Sequence, residues 1–228
     1  MHPKKYSSDL TDKQWEYLAP YLPPPKKRGR PPKWEMRQII NAIFYLLKTG
    51  CPWRMLPADM PPWQTVYNYF AKWQVDRTWL VIHQALHEQI RRDMNKNPLP
   101  SVALIDSQSV KTTELAASRG FLGHKKIKGR KRHIVTDTLG IPLLALVTDA
   151  NVSDNSVSIE LLTEVFSWYI TIQLVYADAG YRGELGTWLF LTHQCQLEIA
   201  KTPRSDEFVV VGKRWIVERT FSWFGFVA

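Results

Sequence analysis

The sequence predicts an α/β protein, a mixed β-sheet with flanking helices, preceded by an all-helical N-terminal module. Three observations carry this. Apolar residues recur at helical spacing through the first ~95 residues. From residue 101 onward, short β-branched runs alternate with helical stretches. The charge divides at the same place: of a net +9 over 228 residues, residues 1–100 carry 16 Lys/Arg against 8 Asp/Glu, and residues 101–228 carry 14 against 13. A basic front and a near-neutral rear suggest a front that meets a polyanion, most often nucleic acid. At 45% hydrophobic residues the chain is too apolar for disorder. No apolar run approaches the ~20 residues needed to span a bilayer, and the opening MHPKKYSSDLTDKQ lacks a signal-peptide centre. A cytoplasmic protein without membrane partners is expected. Cys51 and Cys195 make no disulfide framework.

The elements follow in order. Thr11 to Gln14 is a capping box opening a helix with Trp15 and Leu18 on its apolar face; Pro23-Pro24-Pro25 ends it. A basic tether, Lys26–Lys33, comes next. Residues 34–48 place Met36, Ile39, Ile40, Ile43, Phe44 and Leu47 on one helical face, stopped by Gly50. Cys51–Pro62 is proline-rich and predicts a loop. Helices are expected over Trp63–Trp73 and about Trp79–Met94, and Asn95–Pro100 is a linker. In the rear, strands are expected at Val102–Val110, His133–Asp137, Leu143–Thr148, Leu174–Ala177 and Gln196–Lys201. Thr138–Ile141 joins the second and third as a hairpin. Helices are expected at Asn155–Trp168, Leu185–His193 and Lys213–Trp223. A hairpin followed by alternating elements argues a mixed sheet.

Asp106 sits inside the apolar run Val102-Ala103-Leu104-Ile105, and Asp178 sits just past Leu174–Ala177. A carboxylate near a sheet core is costly unless paired or metal-bound. Glu218, on the last helix, shares a face with Arg214 four residues earlier. Three carboxylates from two strands and a helix form an all-oxygen cage of the kind Mg²⁺ or Mn²⁺ takes. Each also has a plainer explanation, a turn-capping Asp or a solvated Glu. Asp137, Asp149 and Asp154 compete for the role. Asp137 is explained as a turn residue, and Asp154 as the N-cap of the 155–168 helix. Asp149 stays in reserve.

At these residues the chain resembles the IS5 family of transposases, within the IS4-like DDE group of bacterial insertion sequences. The resemblance rests on LTDKQWEYLAPYLPPP, GRPPKWEMRQIINAIFYLLKTGCPWRMLP, ALIDSQSVKT, GRKRHIVTDTLGIPLLALVTDANVSD, YADAGYRG and VERTFSWF, in that order along nearly the whole chain. It implies an RNase H-like catalytic domain over 101–228 behind a helical DNA-binding domain over 1–95. It implies Asp106, Asp178 and Glu218 as the catalytic, metal-binding triad and Arg214 as a DNA-phosphate contact. It further implies two Mg²⁺ or Mn²⁺ ions and phosphoryl transfer at the terminal inverted repeats of an element, with joining to target DNA. The expected partners are double-stranded DNA and a second copy of the chain, in a bacterial, nucleoid-associated setting. The chain departs from the wider group's signature at Val211, where tyrosine is expected, and at Gly225, where lysine is expected. The last helix is expected to be cut short. An alternative is therefore a truncated DNA-binding remnant that competes with or represses full-length transposase. A cellular RNase H-like nuclease is disfavoured by the N-terminal module.

Residues 115–136 lack Asp and Glu entirely. They carry Lys125, Lys126, Lys128, Arg130, Lys131 and Arg132, and are expected to form a flexible loop contacting DNA phosphates beside Asp106. In the tether, Arg28-Gly29-Arg30-Pro31 resembles an AT-hook core, with Arg28 and Arg30 directed at a minor groove. Helices 34–48 and 63–75 suggest a helix-turn-helix-like unit. Gln64, Asn68, Lys72 and Gln74 are its candidates for the major groove; a packing role for the same helices is the alternative.

Overall fold

Helix α1 begins where its capping box places it. In the computed structural model, which describes residues 5–24, 33–112, 120–123, 127–200 and 214–224, the Thr11 hydroxyl accepts the Gln14 N–H at 3.1 Å and Gln14 Oε1 accepts the Thr11 N–H at 2.9 Å. α1 runs Asp12–Leu18 and tightens into a 3-10 turn over Ala19–Tyr21, which contains Pro20. α2 spans Met36–Thr49 and stops at Gly50, whose φ of 65° is left-handed and carries no Cβ penalty for glycine. The proline-rich segment after it, expected to be irregular, holds one 3-10 turn at Trp53–Met55. α3 covers Trp63–Val75 and α4 covers Thr78–Asp93.

The chain divides into two compact units, one holding the described residues up to Pro98 together with Trp223 and Phe224, the other holding Leu99–Ser222. The first unit packs Ile39, Ile40 and Ile43 of α2 against Val66 and Trp73 of α3 and Ile82 of α4. Trp73 is fully buried, with Trp79 edge-on at 5.1 Å and Tyr69 at 5.5 Å. Buried Arg37 ties α2 to α1: its guanidinium donates to Asp12 at 2.8 Å and to the Leu10 carbonyl at 2.7 Å.

In the second unit, β1 (Val102–Lys111), β2 (Gly120–Leu122), β3 (Ile127–Asp137) and β4 (Pro142–Asp149) precede α5 (Asp154–Trp168). Then come β5 (Leu174–Ala177), α6 (Glu184–His193), β6 (Gln196–Ile199) and α7 (Arg214–Phe224), of which residues 214–222 belong to this unit. The sheet order is β2-β3-β1-β5-β6, with β4 also pairing β3. β1, β5 and β6 are parallel neighbours, whereas β1–β3, β2–β3 and β3–β4 are antiparallel. The sheet is mixed and helices flank it, as the sequence predicts.

β3 corrects one expectation. It starts at Ile127, so Lys128–Arg132 lie on a strand, not in a flexible loop. Lys111 to Gln108 of β1 pair with Gly129 to Arg132 on one edge, and Asp149 to Val147 of β4 pair with Arg130 to Arg132 on the other. The period of two is visible in the burial: Lys128 exposed, Gly129 buried, Arg130 half-buried, Lys131 buried, Arg132 half-buried, His133 buried. Charged residues on both faces hide that period in the sequence. β2 is a further strand that the sequence does not predict; three residues are too few to show alternation.

The core gathers Ala103 and Ile105 of β1, Val135 of β3 and Val175 and Ala177 of β5. Leu161, Leu162, Val165 and Phe166 of α5, with Leu185 and Leu189 of α6, join them. Among the described residues, no helix is long and apolar enough to cross a membrane.

Candidate active site

β1 and β5 are parallel, with Leu104 opposite Tyr176. Two residues further along each chain lie Asp106 and Asp178, so the same register sends both carboxylates to one end of the sheet. Asp178 stands just beyond β5, where its Oδ1 accepts the Gly180 N–H at 2.8 Å and opens a 3-10 turn, Ala179–Tyr181. A Cβ on Gly180 would come to 3.0 Å from that same oxygen, so glycine leaves the carboxylate its space. Asp106 Oδ1 accepts the Ser107 N–H at 2.7 Å.

Glu218 arrives on α7, which is fastened to the turn between β3 and β4. Fully buried Thr220 donates its hydroxyl to the Gly140 carbonyl at 2.7 Å, and Arg219 donates to the Leu139 carbonyl at 2.7 Å. Gly140 has φ 80°, and a Cβ there would meet Arg219 at 2.9 Å and Thr220 at 3.0 Å. Asp137 holds the other side of this turn, accepting the Leu139 and Ile141 N–H groups at 2.9 Å each, which is the turn role the sequence suggests. Val217 lines a small cavity with Leu104, Asp106 and Tyr176, and Ile216, Val217 and Phe221 are buried. These contacts leave Glu218 exposed on the helix.

Asp106, Asp178 and Glu218 line one polar pocket of about 250 Å³, together with Ser107, Gln108, Phe221 and Asp154. Asp154 departs from expectation. Ser153, not Asp154, caps α5, its hydroxyl accepting the Ser156 N–H at 3.2 Å. Asp154 is the first helical residue and pairs with Lys131 at 3.1 Å, with His133 Nδ1 at 3.8 Å. Serine and aspartate are both good caps, so the local sequence does not choose between them. Asp149, the reserve candidate, lies opposite Arg130 on β4 and does not line the pocket.

Tyr181 reports the field of these groups. It is 1% exposed, and its phenol pKa is raised far above the ordinary 10.0 by burial first, then by Asp154, Asp106 and Asp178; a side-chain hydrogen bond with Ser107 acts the other way. Three carboxylates from three elements therefore act on one ring. His133 is held below its ordinary 6.5 by burial; Asp154 opposes the shift and Lys131 adds to it.

Oxygen-only donors suit Mg²⁺ or Mn²⁺. Among the described residues, no three His, Cys, Asp or Glu side chains close around one point; the carboxylates line the pocket walls. A Mg²⁺-like ion keeps several waters and is held through one or two carboxylates.

The basic candidates separate by face. Asp106 is opposite Ile134, Gln108 opposite Arg132 and Val110 opposite Arg130, so Lys128, Arg130 and Arg132 share the sheet face of Asp106. Gln108 lines the pocket, which puts Arg132 beside it. Lys131 lies on the other face. It is 5% exposed and donates to the Val152 carbonyl at 2.6 Å, so its ammonium is turned away from any phosphate on the Asp106 face. Arg28, Arg30, Lys125 and Lys126 lie outside the described residues, as does the side chain of Arg214. In the first unit, Gln64, Asn68, Lys72 and Gln74 are exposed on α3, the first three spaced by four along one stripe.

Comparison with known proteins points to transposases. A family described as "Transposase DDE domain" matches residues 97–225. Another, described as "Putative transposase of IS4/5 family", matches residues 10–83. A Burkholderia cepacia protein named "Putative transposase for insertion sequence element IS402" is 36% identical over 103 residues, covering 42% of this chain and 48% of the relative. Another Burkholderia cepacia protein, "Insertion element IS402 uncharacterized 16.2 kDa protein", is 35% identical over 89 residues, covering 36% of this chain and 60% of the relative. "Uncharacterized protein y4sN" of Sinorhizobium fredii is 28% identical over 64 residues, 28% of this chain and 51% of the relative. The chain thus matches between about half and three fifths of the length of these curated relatives.

Proposed function

Because this chain belongs to the DDE transposases of the IS4/5 family, we propose that it binds the terminal inverted repeats of an insertion sequence and catalyses metal-dependent strand cleavage and strand transfer there. The observation that carries this is the meeting of Asp106, Asp178 and Glu218 in one polar pocket.

In this reading Asp106 and Asp178 hold divalent cations at the sheet end, and Glu218 closes the site from α7. Two bound ions, Mg²⁺ or Mn²⁺, supply activation of the attacking oxygen and charge neutralisation at the leaving oxygen. Lys128, Arg130 and Arg132 run along the same sheet face and position the phosphate backbone without reading sequence. Arg28, Arg30, Lys125, Lys126 and Arg214 add phosphate contacts by the family resemblance. The α3 stripe Gln64–Asn68–Lys72, with Gln74, supplies donors and acceptors of the kind that read base edges. Two ends must be brought together for transfer, so a dimer of this chain on DNA belongs to the proposal.

The test is Mg²⁺-dependent nicking of a labelled duplex carrying the element's ends, against one with scrambled ends, with Asp106→Asn as control. Cleavage at the end junction by the wild-type chain alone is the expected result. Binding of the ends without cleavage in Mg²⁺ or Mn²⁺ overturns the enzymatic part, and equal binding of both duplexes overturns the inverted-repeat part.

A further inference from the structure

We propose that Asp154 is a fourth carboxylate of the divalent-cation site, aimed into the pocket by the buried side chain of Lys131. This rests on reading the pocket as a metal-dependent phosphoryl-transfer site, and extends it to two residues outside the triad.

Asp154 divides its carboxylate between two tasks. Oδ1 faces Lys131 at 3.1 Å and His133 at 3.8 Å. Oδ2 lies 3.7 Å from the Cβ position of Gly180, a point that Asp178 Oδ1 approaches to 3.0 Å. The Asp154 and Asp178 carboxylates thus flank the same small space, and both line the pocket. Helix capping does not require Asp154, because Ser153 does that. At the first helical position its negative charge is also favoured by the α5 dipole.

The donor set supports the same reading: the carboxylates of Asp106, Asp154, Asp178 and Glu218 line one pocket, and all-oxygen donors are what a Mg²⁺-like ion takes.

Lys131 is the positioning residue. A buried ammonium is costly unless it is paired and hydrogen-bonded, and Lys131 meets both needs through Asp154 and the Val152 carbonyl. Held by the Val152 carbonyl, the ammonium stands beside Asp154 Oδ1. Partners that orient a metal ligand typically change affinity by about 10–100-fold when removed.

Calorimetric titration of the full chain with Mn²⁺, without DNA, tests this. Wild type, Asp106→Asn, Asp154→Asn and Lys131→Met are compared, each checked for folding by metal-free thermal melting. Asp154→Asn is expected to weaken Mn²⁺ binding at least about tenfold, and Lys131→Met by about tenfold while the carboxylate is still present. If Asp106→Asn weakens binding and Asp154→Asn does not, the fourth-carboxylate proposal is overturned and the triad stands. If wild type binds no Mn²⁺, or Asp106→Asn binds as wild type does, the reading of the pocket itself fails. Should Asp154→Asn not fold, Lys131→Met carries the test, and unchanged Mn²⁺ affinity overturns the proposal.

Discussion

Replacing Thr220 by valine tests how Glu218 is held in place. The substitution keeps the shape of the side chain and removes one hydroxyl, which is fully buried and donates to the Gly140 carbonyl at 2.7 Å. An intramolecular hydrogen bond contributes about 1 kcal/mol net, and a buried group left without its partner costs about 1–3 kcal/mol. The Ile216 carbonyl, 3.0 Å from the same oxygen, keeps its place in the helix ladder, so only the link to the β3–β4 turn disappears. A loss of about 1–2 kcal/mol is expected, concentrated at the docking of α7. In a chain of two units a single melting temperature does not isolate such a change. Amide hydrogen exchange over residues 214–224 does, because local opening is read directly. Exchange there is expected to speed up by roughly 5–30-fold, the factor matching 1–2 kcal/mol, while amides of α2 and α3 stay unchanged. Unaltered protection of α7 would refute the claim that the turn fastens this helix.

Further outcomes follow from the same geometry. Gly180→Ala sets a Cβ 3.0 Å from Asp178 Oδ1, so it is expected to impair Mn²⁺ binding measured by calorimetry while far-ultraviolet circular dichroism stays that of wild type. Lys128→Ala with Arg132→Ala is expected to weaken binding to all duplexes alike and to flatten the log–log salt dependence by about 0.9 for each phosphate no longer neutralised, read by fluorescence anisotropy across a salt series. His83 is held below its ordinary 6.5 by burial, with His87 adding to the shift. The unfolded chain therefore takes up that proton first, and stability present above pH 6.5 is lost as the pH falls below it. Thermal melts between neutral and mildly acidic pH should show the loss, and His83→Gln should reduce it.

What can be read from the sequence is local. The capping box at Thr11, the stop at Gly50 and the turn role of Asp137 each depend on a few adjacent residues, and each holds in the structure. Asp106 and Asp178 stand out because a carboxylate at the end of an apolar strand needs a reason. The rest is set by tertiary contacts. Asp154 sits one residue from a serine that caps equally well, and a one-residue difference decides which of them lines the pocket. Lys131 lies in a run of lysines and arginines, where nothing in the order of residues says that one ammonium is buried; only the pairing of β3 with β1 and β4 turns it to the inner face.

The central claim is that Asp106, Asp178 and Glu218 act as one unit on DNA. Groups that act as a unit lose activity together and non-additively. The most direct measurement compares Mg²⁺-dependent cleavage rates of Asp106→Asn, Asp178→Asn, Glu218→Gln and the triple variant on a duplex carrying the element's ends. Each single variant is expected to lose nearly all cleavage while still binding the duplex, and the triple variant is expected to be no slower than the singles. Retention of substantial cleavage by any single variant, or losses that multiply from single to triple, would contradict it.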